Sequence, residues 1–147
     1  MTGSRPLAPS GRAGSPPLCL VACAVLVDAE GRVLVTTRPP GREMAGLWEF
    51  PGGKVEATES PEEALVRELA EELGIMTDGA CLAPCGFASH AYPARRVLLL
   101  AFAIRKWAGR PVPREGQALR WVRVSDLFGL PMPPADRPLL GQIAAIL

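Results

Sequence analysis

Neither sign of charge is in excess in this 147-residue sequence: 16 Lys and Arg stand against 15 Asp and Glu, a formal net charge of +1. A chain so balanced has no long-range field to hold a polyanion. That argues against an avid binder of nucleic acid polymer and leaves room for a small phosphorylated ligand, which needs only local charge. Long hydrophobic runs are missing too. The apolar stretch "LCLVACAVLV", Leu18 to Val27, is far short of the ~20 residues of a membrane-spanning helix, so no membrane partner is expected. Residues 1 to 17 are rich in Gly, Ser, Pro and Arg and contain no apolar signal core, which sets the expectation of a cytoplasmic protein with reduced thiols. Cysteines are few: Cys19, Cys23, Cys81 and Cys85. Two C-x3-C pairs raise the question of zinc. The spacing is not that of a standard structural site, and Cys19 and Cys23 sit in a strand-like run where a thiol behaves as a small hydrophobe.

What remains is the pattern of one globular domain. Residues 1–16 read as a flexible tail, since Pro6, Pro9, Pro16 and Pro17 with three glycines leave nothing to bury. The domain spans 17–147. The turn signal "DAEG" between two β-rich runs predicts a hairpin from "LCLVACAVLV" and "RVLVTTR". A Pro- and Gly-punctuated loop follows, with a short strand at "WEF". Strands are expected near 81–90, in "RRVLLLAFAIRKW" and in "ALRWVRV", with a helical turn at "SDLFGL" and a last helix in "PPADRPLLGQIAAIL". No internal repeat is present, and the order of elements argues for a mixed α/β domain with helices packed on a sheet.

The clearest element is the helix within "GGKVEATESPEEALVRELAEELGI", Gly52 to Ile75. Ser60 suits the N-cap, Pro61 the first helical position, and Glu63 completes a capping box. Gly74 stands where a left-handed C-terminal residue belongs. Leu65, Leu69 and Leu73 repeat every fourth residue and form a core-facing stripe. Beside that stripe Glu68, Glu71 and Glu72 share one arc of the helix. Like charges so spaced weaken an isolated helix by a few tenths of a kcal/mol per pair. Three crowded carboxylates suit a divalent cation, and Mg²⁺ is commonly shared between carboxylates and substrate phosphates. Arg67 reaches a carboxylate four residues away on either side, Glu63 or Glu71, and would orient a ligand. The plain alternative is a solvated charged face.

Gly53, Glu59, Arg67, Glu68, Leu69, Glu71, Glu72, Gly74 and Ile75 together resemble the signature of the Nudix hydrolase superfamily. "GLWEFPGGKVE", "REGQ" at Arg114 to Gln117 and "PPADRPLL" are similar to its MutT branch, which hydrolyses oxidised nucleoside triphosphates. The resemblance runs from about Leu18 to the C-terminus. It implies an α/β Nudix fold, an α/β/α sandwich with a mixed β-sheet. It also implies a Mg²⁺-dependent enzyme, with Mn²⁺ as a substitute, that releases a nucleoside monophosphate and pyrophosphate from a small-molecule nucleoside triphosphate. By position, Glu68, Glu71 and Glu72 would be metal ligands, with the Gly52 carbonyl and Glu115 completing the set. Glu68 would be the base for the attacking water, with Arg67 and Glu72 beside it. Lys54 would meet a phosphate, and Gly53 and Glu59 would support the loop and helix. The chemistry agrees: metals reconcile an acidic site with an acidic substrate and activate water, and glycines let backbone approach a ligand closely.

The same resemblance places Arg38, Phe50, Tyr92, Arg95 and Asp136 around the base. Phe50 could equally be core, Arg38 solvated, Tyr92 a packed strand residue and Asp136 the N-cap of the last helix. Where the resemblance leads one to expect asparagine, Asp136 departs from it; an ionised aspartate only accepts hydrogen bonds. It suits N–H groups of an 8-oxopurine or the amino group of cytosine. The expected activity is therefore that of an 8-oxo-dGTP diphosphatase sanitising the nucleotide pool, acting as a monomer. The rivals are a CTP or modified (d)CTP pyrophosphatase, an ADP-ribose-type dinucleotide hydrolase and a non-catalytic nucleotide-binding module.

Overall fold

A computed structural model describes residues 16–147, so the expected tail lies almost wholly outside the described residues. Seven strands, β1 (Leu18–Leu26), β2 (Val33–Thr37), β3 (Trp48–Glu49), β4 (Gly52–Lys54), β5 (Ala83–Ala91), β6 (Arg96–Ile104) and β7 (Leu119–Val122), are joined by three helices, α1 (Pro61–Leu73), α2 (Val124–Leu127) and α3 (Arg137–Ile146). A four-stranded sheet runs β4-β1-β6-β5 and a three-stranded one β3-β2-β7. In the first sheet β1 is parallel to β6 and antiparallel to β4, which makes it mixed.

The strand β1 explains the layering. Its residues alternate faces. Ala22, Ala24 and Leu26 pack with Leu65, Leu69 and Leu73 of α1. Cys23 and Val25, with Val27 just beyond the strand, pack with Leu139, Leu140 and Ile143 of α3. A sheet with a helix on each face is the expected α/β/α sandwich, and burial on both faces is why β1 reads as a continuous apolar run rather than an alternating one. Among the described residues no helix is long and apolar enough to cross a membrane.

The expected hairpin is not formed. Asp28 does turn the chain, its Oδ1 accepting from the Glu30 and Arg32 amides at 3.0 and 2.8 Å. Yet β1 and β2 meet only at an isolated bridge, Val27 to Val33, and then enter different sheets. The edges of β1 are taken by β4 and β6, distant in sequence, and local turn chemistry does not reveal that competition. The strand β4, read in the sequence as loop, sets Gly52 opposite Cys23 and Gly53 opposite Ala22. This pairing carries the two glycines alongside α1.

Candidate active site

Helix α1 holds its carboxylates by local means. Ser60 Oγ accepts from the Glu63 amide at 3.1 Å, and Glu63 Oε1 accepts from the Ser60 amide at 3.0 Å, closing the capping box. At the other end Gly74 takes φ 68° and donates to the Ala70 carbonyl. With the leucine stripe buried, Glu68 and Glu72 are turned toward β4. Gly52 donates its amide to Glu72 Oε2 at 3.2 Å. A Cβ on Gly53 would push the Glu68 carboxylate out of its place, and a Cβ on Gly52 would collide with the backbone of Ala22 and Cys23, so glycine at 52 is what lets β4 lie this close to β1.

Arg67 ties the cluster together. Its Nη2 and Nε donate to the two oxygens of Glu59 at 2.6 and 3.0 Å, a bidentate pair. Its Nη1 donates to Glu68 Oε1 at 2.9 Å and to Glu71 Oε2 at 3.4 Å, and Nη2 reaches the Lys54 carbonyl at 3.2 Å. Glu71 is thus the partner four residues on. Glu63 is not a partner, because its carboxylate is used in the cap. The arginine holds Glu59 down to about 2, through its hydrogen bonds first.

The other carboxylates are pushed the opposite way. Burial, then the charges of Glu68 and Glu115, raises Glu72 to about 9, against the lowering hydrogen bond from Gly52. Glu68 is raised by burial, with Arg67 opposing and Glu71 and Glu115 adding to it. Glu115 therefore comes close enough to act on both helix glutamates. The residue that brings it there, Gln117, escaped the sequence reading although it lies in "REGQ". It is buried, accepts from the Glu115 amide through Oε1 at 2.8 Å and donates from Nε2 to the Glu72 carbonyl at 3.2 Å.

Would these residues hold a metal? Their chemistry fits a hard divalent cation: the donors are oxygen, and the like charges that raise Glu68 and Glu72 are what a cation relieves. Among the described residues, however, no three His, Cys, Asp or Glu side chains already converge as a metal-binding group. Arg67 engages one oxygen each of Glu68 and Glu71, and the Gly52 amide engages one oxygen of Glu72, which leaves each carboxylate a second oxygen with which to meet a cation.

The carboxylates form one end of a cleft of about 450 Å³, along which Lys54 also lies. Arg38, Phe50, Tyr92, Arg95 and Asp136 line the other end. Phe50 is buried in the core, and its backbone amide donates to Asp136 Oδ2 at 3.4 Å. Asp136 stands at the N-cap position of α3 but makes no side-chain cap hydrogen bond, so its carboxyl belongs to the cleft. Burial and then Glu49 raise it to about 7, opposed by the Phe50 amide and Arg38. Tyr92 accepts from the Ala135 amide at 3.1 Å, and the Arg95 guanidinium lies 5.7 Å from its ring centre. Arg38 is not solvated: Nη1 donates to Glu49 Oε2 at 3.0 Å and Nε to the Glu43 carbonyl at 2.7 Å. Glu43 and Glu49 were not singled out in the sequence; no local signal separates them from other surface glutamates.

Residues 22–142 match the NUDIX domain family. The chain is similar to a CTP pyrophosphohydrolase of Escherichia coli K12, 40% identical over 84% of this chain and 90% of that one. It is also similar to an 8-oxo-dGTP diphosphatase of the same organism, 32% identical over 84% of this chain and 94% of the other. Among solved structures, the solution structure of the E. coli ORF135 protein superposes with a TM-score of 0.78 at 36% identity, covering 92% of this chain and 95% of that one.

Proposed function

The chain belongs to the NUDIX domain family and is a Nudix hydrolase, and from that premise we propose that it is a Mg²⁺-dependent nucleoside triphosphate pyrophosphohydrolase whose substrate is 8-oxo-dGTP. Hydrolases of this family act with a divalent metal and on small nucleotides. Water adds to one phosphorus of the chain, the phosphoanhydride bond breaks, and the nucleoside monophosphate and pyrophosphate leave.

In this reading Glu71, Glu72, Glu115, Glu68 and the Gly52 carbonyl would hold Mg²⁺, with Mn²⁺ able to substitute, and the cation would supply charge neutralisation and a more acidic water. Glu68 takes the proton of the attacking water. Arg67 aims Glu68 and Glu71, Glu59 fixes Arg67, and Lys54 meets a phosphate. Arg38, Phe50, Tyr92, Arg95 and Asp136 surround the base. The enzyme works as a cytoplasmic monomer on free nucleotides.

The observation that carries the substrate assignment is Asp136, enclosed at the far end of the cleft and raised to about 7. Near neutral pH it exists both as carboxylate and as acid. The acid offers an O–H to O6 of an oxidised guanine while its carbonyl oxygen accepts from a ring N–H. The ionised form suits the cytosine amino group, which, with the 40% identical relative, supports CTP as the second reading. A panel of 8-oxo-dGTP, dGTP, CTP and ADP-ribose hydrolysed with Mg²⁺, reading pyrophosphate against orthophosphate, tests the assignment. Fastest turnover of 8-oxo-dGTP with pyrophosphate release is expected. Release of orthophosphate, or preference for ADP-ribose, would overturn it.

A further inference from the structure

The segment 38–47, between β2 and β3, is closed at its base by the Arg38 amide donating to the Leu47 carbonyl at 3.0 Å. Inside it Gly41 and Gly46 take φ of 83° and 85°, which cost glycine little. Met44 takes φ 57°, the only positive φ of a non-glycine residue among the described residues. A long unbranched side chain in this region is strained, and such strain persists only where the surroundings impose it. Met44 lines the base end of the cleft.

Met44 is the third residue of a turn that the Ala45 amide closes by donating to the Arg42 carbonyl at 3.2 Å, a position that calls for a positive φ, and the residue before it anchors that turn. The Glu43 carbonyl accepts from Arg38 Nε at 2.7 Å, and its carboxylate accepts from Arg95 Nη1 at 3.1 Å. Arg38 leads out of β2 and Arg95 lies in the turn between β5 and β6, one on each sheet. One residue therefore links two cleft-lining arginines, Arg38 at the end of a strand of one sheet and Arg95 between two strands of the other. The same Arg95 lies over Tyr92.

We propose that Glu43 is a positioning residue for substrate binding: it clasps Arg38 and Arg95 and so holds Met44 as an apolar wall against the nucleotide base. The assignment rests on the cleft being the nucleotide site. A thioether against a ring is a favourable and adaptable contact that accepts either a purine or a pyrimidine face. The strap thus supplies affinity for a base of any kind, and the choice between bases is left to the polar groups opposite.

Three variants test the clasp. Glu43→Ala should raise KM about three- to fivefold for both 8-oxo-dGTP and CTP, the scale of a largely exposed ion pair, with a smaller change in kcat and a smaller effect at high salt. Met44→Gly should raise KM about three- to tenfold, the worth of a sulfur–ring contact. Its Tm should stay level or increase, because glycine relieves the left-handed strain. A merely structural residue would lower Tm and affinity together. Arg95→Ala leaves the tryptic site after Arg42 intact and should speed cleavage there several-fold with no substrate present, by freeing the segment to open. Unchanged KM in the first two variants, or unchanged cleavage in the third, overturns the proposal. If the wild-type protein hydrolyses none of the nucleotides, the functional reading has failed, and the tryptic measurement alone judges the clasp.

Discussion

Arg67 grips Glu59 with two parallel hydrogen bonds, 2.6 and 3.0 Å long, and through this pair the loop before α1 is tied to the middle of the helix. The remaining guanidinium edge aims Glu68. One arginine thereby converts the position of a loop into the orientation of the proposed base.

That pair should be visible in acid. Its pull holds the Glu59 carboxyl down to about 2 from 4.5, so its contribution to stability is complete above about 4.5 and is lost as pH falls toward 2. Glu59→Gln cannot ionise. Its melting temperature should lie below wild type at pH 6, and the two curves should converge near pH 2. Parallel curves across that window would show that the pair contributes nothing.

Removing the charge of Glu68 separates chemistry from folding. Glu68→Gln keeps the shape of a half-buried side chain that already accepts from Arg67. Thermal unfolding should change by a few degrees at most, while kcat falls at least about a hundredfold, the scale of lost general-base catalysis. Turnover near the wild-type rate would remove Glu68 from its assigned role.

Metal binding should compete with protons at Glu72. A carboxyl held at about 9 is mostly protonated at neutral pH and must lose its proton to ligate a cation. Mg²⁺ affinity should therefore climb with pH from 6 to 9, by up to about tenfold per unit if one proton is displaced. Calorimetric titration in buffers of different ionisation enthalpy should count that proton. Glu72→Gln should bind more weakly with a flat pH profile, and chelation with EDTA should stop turnover without unfolding the chain.

Asp136 provides a second pH signature. Its folded value of about 7 exceeds the ordinary 3.8, so the folded chain favours the acid form; stability is complete below about 3.8 and declines as pH rises to about 7. Asp136→Asn should remove that decline and leave the variant more stable than wild type at pH 8, by a few kcal/mol at most at about 1.4 per pKa unit. In wild type the ratio of kcat/KM for 8-oxo-dGTP over CTP should fall as pH passes through 7, because the donor is lost. The asparagine keeps donor and acceptor at every pH, so its ratio should be level and should favour 8-oxo-dGTP. Losing one such bond is worth roughly 1.5–3 kcal/mol, about tenfold to a hundredfold. A level ratio in wild type would send the choice of base elsewhere.

The stretch from Ser60 to Gly74 was legible in the sequence because everything that makes it a helix is local. The cap reaches three residues, the leucines repeat at four, and the terminal glycine needs only its own backbone freedom. The carboxylate row follows from the same periodicity, and most of the strands from apolar runs. What the sequence could not decide was pairing between distant segments. The run from Leu18 to Val27 looked like half of a hairpin, yet its edges went to β4 and to β6, which are remote in the chain. For Arg67 helical spacing suggested Glu63 or Glu71, and only the folded loop turned Glu59 into its closest partner. Asp136 reads as a base reader, with the N-cap of the last helix as the alternative. The amide it meets belongs to Phe50, 86 positions earlier, and the burial that raises it exists only once α3 closes over the sheet. Local hydrogen bonds and periodicity are written into short stretches of chain. The partners of a buried charge are set by which surfaces the whole core brings together.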